Sequence, residues 1–163
     1  MSEIAEILEK FRRGPEMLAA AMTGAAGSEV DFAPAGQWSV RQIMAHLSDA
    51  EVAGAMRFRQ VVAENEPKLQ AYDQEAWAQN LDYAKRKPSQ SLETFRRIRG
   101  ENYELLKDLP PEAFERKGIH SERGPLSLLD LVRTYAGHAE KHAQQLRAVR
   151  AAFKEEKSKA TRL

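Results

Sequence analysis

Apolar residues recur along this chain at steps of three and four, the spacing of a helix that buries one face. Ile4, Ile7, Leu8, Phe11, Met17, Leu18 and Met22 predict a first helix from about Ser2 to Thr23, which Pro15 kinks or divides. Gly24 to Gln37 holds three Gly and one Pro and reads as a loop. Val40, Ile43, Met44, Leu47, Val52, Met56, Phe58 and Val61 predict a second helix from Val40 to about Glu64. Ser39 and Gln42 stand in capping-box spacing at its start, and Pro67 follows its end. Tyr72 to Tyr83 predicts a short helix lying across the others. Ser89 opens a third long helix with Leu92, Phe95, Ile98, Tyr103 and Leu106 inward, ending before Pro110-Pro111. Gly118 to Pro125 reads as a loop, although Glu115 to Ser121 could pair briefly as a strand. Ser127 and Asp130 repeat the capping-box spacing ahead of a last helix, whose stripe runs Leu128, Leu131, Val132, Tyr135, Ala139, Leu146, Val149 and Phe153.

Four long amphipathic helices without a sustained alternating pattern predict an all-α protein. The expected architecture is a four-helix bundle with long connections and a short extra helix between the second and third. One domain should span residues 1–153, with residues 154–163 a charged tail expected to fray.

Composition narrows the chemistry. The chain has 163 residues, with 25 Lys and Arg against 24 Asp and Glu, so no charge excess recommends nucleic acid as a partner. It has no cysteine, which excludes disulfides, thiolate metal sites and a cysteine nucleophile. The acidic, amphipathic start is unlike a secretion signal, and no apolar run reaches membrane-spanning length; no membrane partner and a cytoplasmic location are expected. Phosphate-cradling glycine loops are absent. The runs Lys85-Arg86-Lys87 and Arg96-Arg97-Ile98-Arg99 read as solvated helix surface.

The informative residues are histidines. His138 and His142 stand four apart, one helical turn, on or beside the buried stripe of the last helix, where they can grip one divalent ion. Read alone, they suit equally two partly exposed histidines on a surface helix, or core histidines bonded to backbone carbonyls. His46 lies near the apolar face of the second helix and could complete a three-histidine set with open positions. Asp49, Glu51 and Gln145 are candidates to orient the imidazoles by hydrogen bonds. Trp38 reads as a hydrophobic anchor, and Tyr135 as core with its hydroxyl toward polar neighbours. Loop residue His120 reads as exposed, or as an accessory acid or base over the site. Glu140, two positions after His138, turns away from it, unlike the Glu of a His-Glu-x-x-His protease.

Trp38-Ser39, His46-Leu47, the lead-in Gly124-Pro125-Leu126-Ser127 and the distant His138-x-x-x-His142-x-x-Gln145 together resemble the DinB-like/YfiT-like metalloenzyme superfamily over nearly the whole chain. The resemblance implies a bundle, often dimeric, in which His46, His138 and His142 hold zinc, nickel or iron. It also implies a small-molecule substrate, with thiol S-transferases using low-molecular-weight thiols and a thiol-dependent isomerase among the relatives. Thiol transfer or isomerisation is therefore the first expectation and metal-dependent hydrolysis the second. A non-catalytic, stress-associated binding protein with a structural metal is the third.

Overall fold

The computed structural model describes residues 1–162; Leu163 lies outside the described residues. Its helices are α1 (Glu3–Arg12), α2 (Gly14–Met22), α3 (Val40–Ala63), α4 (Gln74–Asn80), α5 (Pro88–Leu106) and α6 (Leu128–Thr161). Pro15 does divide the first helix. It has no N–H to return to the Phe11 carbonyl one turn earlier, and α2 restarts beside it. The α1–α2 pair packs against α5 and α6, and α3 packs against the same two. The first and second bundle helices are thus diagonal partners, as are the third and fourth. The long connections after α2 and after α5 have to cross those diagonals. Among the described residues, no helix is long and apolar enough to cross a membrane.

Two departures from the sequence-based expectation concern the loops and the tail. Gly118 to Pro125 is not a loop: the brief strand offered within Glu115 to Ser121 forms as β2 (Lys117–His120), which makes a hairpin with β3 (Gly124–Ser127), and β1 (Lys68–Leu69) joins β2 in parallel to make a three-stranded sheet. Two-residue and four-residue strands are too short to leave an alternating pattern. Gly124, at φ +73°, accepts the left-handed turn that closes the hairpin. At Gly118 a Cβ would lie 2.7 Å from Leu69 and 3.0 Å from Val61, so glycine lets β2 settle directly against α3. The charged tail continues α6 in register through Thr161, with Lys159 and Glu155 paired one turn apart.

The core has two parts. Phe11, Phe58, Val61, Leu106 and Leu131 pack in one, and Leu18, Ile43, Leu47, Phe95 and Leu146 in the other. On α3 and α5 the buried charged residues between these sets are Glu51 and Arg99, 0% and 1% exposed. Arg99 grips Glu51 with two bonds (3.0 and 2.5 Å), donates to the carbonyls of Phe11 (2.8 Å) and Tyr135 (3.1 Å), and lies against the rings of Phe11 and Phe95. The Phe11 carbonyl is the one that Pro15 cannot serve. Gly14 is required here, because a Cβ would come within 2.4 Å of the Arg99 guanidinium. Arg99 is therefore a core residue, correcting its reading as solvated surface.

Candidate metal centre

Both helices that carry the histidines start at complete capping boxes. Ser39 and Gln42 exchange bonds of 3.2 and 2.9 Å at the head of α3, and Ser127 and Asp130 exchange bonds of 3.0 Å at the head of α6. These caps set where each helix begins, and hence which residues face the partner helix. His46 leaves α3 two turns after its cap; His138 and His142 leave α6 one turn apart. His46 Nε2 is 3.0 Å from His138 Nε2, which is 3.0 Å from His142 Nε2. One nitrogen from each ring lies within 4.8 Å of the other two. The structure brings together all three predicted histidines.

Burial dominates their electrostatics. It pushes the His46 pKa down to about 4, with the neighbouring His142 adding to the effect. It pushes His138 down to about 2, with His142 and His46 next in importance, and it lowers His142 as well. All three rings are therefore neutral at pH 7, the state in which imidazole ligates a metal. Two nitrogens bound to one ion at about 2.1 Å lie about 3.0–3.4 Å apart, between right-angle and tetrahedral geometry, so the two 3.0 Å spacings to His138 fit. Among the described residues the Nδ1 atoms of His46 and His138 are buried without a partner, and His138 Nε2, which holds either a proton or a lone pair, cannot both accept from one neighbouring Nε2 and donate to the other. A cation between them would relieve that arrangement. No Asp, Glu or further His joins the group among the described residues.

The three candidates for orienting groups part company. Gln145 Oε1 lies 2.6 Å from His142 Nδ1, so it accepts that proton and turns the Nε2 lone pair toward the centre. Asp49 bonds no imidazole; its carboxylate is held by both terminal nitrogens of Arg86, at 2.9 and 3.0 Å. Glu51 is taken by Arg99. One turn of helix puts both acids near His46, but each has a guanidinium partner on a different element, which the sequence does not reveal. Glu140 pairs with Lys10 at the surface, as its turn away from His138 requires. If Gln145 orients His142, Gln145→Ala should weaken zinc affinity about 10–100-fold, measured by chelator competition.

Around the trio, Trp38 packs on His46 with ring centroids 5.3 Å apart and meets Tyr83 edge-on. Tyr135 is 5% exposed and accepts a bond from Arg57 Nη1 (3.1 Å). A Cβ at Gly54 would lie 2.7 Å from the Tyr135 ring, so glycine lets α3 and α6 meet at this point. His120 is not on an exposed loop: it ends β2, is 7% exposed, and faces a cavity that His138 also lines. Sequence reasoning missed Arg57 and Arg123 in the same wall. A signal for Arg57 existed, since it stands eleven residues after His46, about 20° around the helix from it.

A helical bundle in which two helices converge three neutral histidines defines a protein with a group able to hold a divalent metal. The chain belongs to the DinB superfamily, which matches residues 10–146. It is 32% identical over 108 residues to an Oceanobacillus iheyensis protein and 30% identical over 108 residues to YfiT of Bacillus subtilis, both named putative metal-dependent hydrolases. Each match covers 66% of this chain, and 62% and 61% of the respective relative, so the chain matches less than two-thirds of their length. The solved YfiT structure, described as a four-helix bundle of unusual topology, superposes with a TM-score of 0.87. It is 24% identical, and the superposition covers 94% of this chain and 90% of that one.

Proposed function

We propose that this chain is a divalent-metal-dependent enzyme acting on a small molecule, with His46, His138 and His142 as ligands and hydrolysis as its reaction. One observation carries the reading: three neutral imidazoles converge with no fourth protein ligand among the described residues, the pattern of an open catalytic site rather than a closed structural one. A divalent ion held there supplies Lewis acidity to whatever water or substrate atom fills its remaining positions. Gln145 holds His142 in the ligating tautomer. Trp38 packs on His46 and restricts that ring. Burial pushes the Tyr135 phenol up to about 12, so its hydroxyl stays protonated at neutral pH and can donate to an oxygen in the neighbouring cavity. The names of the relatives favour hydrolysis. The same open positions accept a thiolate, and the family resemblance favours thiol S-transfer as the second reading.

Protein purified without an affinity tag should contain close to one divalent ion per chain by elemental analysis. It should hydrolyse members of a panel of small esters, amides and lactones, and lose that turnover on chelation. Turnover that requires an added low-molecular-weight thiol replaces hydrolysis with transfer. A chain that neither carries nor takes up zinc, nickel or iron overturns both.

A further inference from the structure

The cavity beside His138 has a volume of about 150 Å³. That is below the ~300–1,000 Å³ of sites for drug-sized ligands, so it suits a small group or one end of a substrate. Its wall contains two guanidinium groups, Arg57 and Arg123, and no carboxylate among the described residues. Neither arginine forms an ion pair among the described residues. Arg57 gives two bonds, to the Tyr135 hydroxyl and to the Gln70 carbonyl (2.8 Å), both to uncharged oxygens, so its charge is held in place but not neutralised. Because the Tyr135 oxygen accepts from Arg57, its own proton is directed elsewhere.

His120 completes the pattern through its tautomer. The backbone N–H groups of Glu122 and Arg123 both donate to His120 Nδ1, each at 3.2 Å. A nitrogen that accepts two hydrogen bonds carries no proton, so the neutral ring bears its hydrogen on Nε2. That nitrogen has no partner among the described residues. The hairpin turn that supplies the two amides also carries Arg123, so one short loop fixes a neutral donor and presents a cation. Leu126, Leu131 and Ala50 add an apolar stretch of wall, and Tyr72, Thr134 and His138 complete the lining.

We propose that Arg57, Arg123, the Tyr135 hydroxyl and His120 Nε2–H form an anion subsite next to the histidine trio, which binds the carboxylate of a small, otherwise aliphatic substrate. His120 acts there as a fixed hydrogen-bond donor and not as a base. An isolated pair of arginines would gain most from a planar, bidentate acceptor, which a carboxylate is. The subsite's role in catalysis rests on the proposed metal centre, but its binding of an anion does not.

The test is an NMR titration of ¹⁵N-labelled protein, zinc-loaded and chelator-treated, with butyrate and separately with the uncharged butyramide. The amide signals of Glu122 and Arg123 report on the site. Butyrate should shift them saturably in both forms, with a Kd at least about tenfold lower than that of butyramide, as loss of one charge-assisted bond implies. Arg123→Ala removes an exposed side chain that makes no hydrogen bond or ion pair among the described residues, so the fold is retained; it should abolish most of that preference while leaving butyramide unchanged. His120→Leu should weaken butyrate similarly, and His120→Gln, which keeps a donor, should recover part of it. Equal Kd values for acid and amide, or an unaltered preference in both Arg123→Ala and His120→Leu, overturn the subsite. If zinc binds at one per chain while the preference is missing, the subsite falls and the metal reading stands. If the preference is retained by a chain that cannot hold zinc, the metal reading falls and the subsite stands.

Discussion

His142→Ala is expected to lower zinc affinity by more than about 100-fold while leaving helix content unchanged. Loss of an orienting partner costs about 10–100-fold, and loss of the ligand itself must cost more. His142 is the ring whose position is most fully determined, through Gln145, so its removal also leaves the Gln145 oxygen without its donor. The helix should survive because alanine is the strongest helix former and because Ala139, Ala143 and Leu146 around it keep α6 seated on its neighbours. His46→Ala should match this loss from the other helix, since two nitrogens from α6 alone cannot enclose an ion against α3. His120→Ala should leave zinc affinity near the wild-type value, because His120 lies outside the group. Competition with a chromophoric chelator, alongside far-ultraviolet circular dichroism, reads both quantities. Unchanged affinity in His142→Ala with intact helices would remove the trio as the metal centre.

Glu51→Ala should destabilise the protein by about 3–5 kcal/mol, the usual cost of leaving one partner of a buried ion pair alone. At roughly 2–4 °C per kcal/mol for a chain of this size, the melting temperature falls by roughly 6–20 °C. Arg99 would keep its bonds to the Phe11 and Tyr135 carbonyls, but its charge would have no counter-ion in a site 1% exposed. Replacing both partners, as Glu51→Leu with Arg99→Met, should restore most of the loss, because neither charge then remains to be solvated. Calorimetry on the single and double variants checks this. A single variant that melts within about 2 °C of wild type would mean that water reaches the guanidinium and that the core is not sealed at this level.

That pair also marks the limit of what spacing along the chain reveals. By spacing, Glu51 is a reasonable candidate to orient an imidazole, since it lies one and a half turns beyond His46; its true partner is on α5, 48 residues away. Asp49 likewise serves Arg86. Long-range pairing of this kind leaves no periodic trace, so no spacing rule can assign it. Gln145 differs because its bond to His142 runs between neighbours on one helix, where spacing and geometry are the same thing. His120 and the hairpin under it depart from expectation for a related reason: strands of two and four residues carry too little pattern, and what buries them is the close approach at Gly118.

The residues in sequence determined the helices, their caps, the break at Pro15 and the pairing of His138 with His142, because each depends on groups within about one turn of one another. The apolar face of the second helix made His46 a candidate third member, and the family resemblance supported that choice. Tertiary structure alone decided that the trio's Nε2 atoms converge, that two acids near His46 serve arginines instead, and that a hairpin carries His120 and Arg123 to the same cavity. Those outcomes depend on which helices become neighbours, and in this bundle the chain crosses its diagonals twice before the last histidines meet the first.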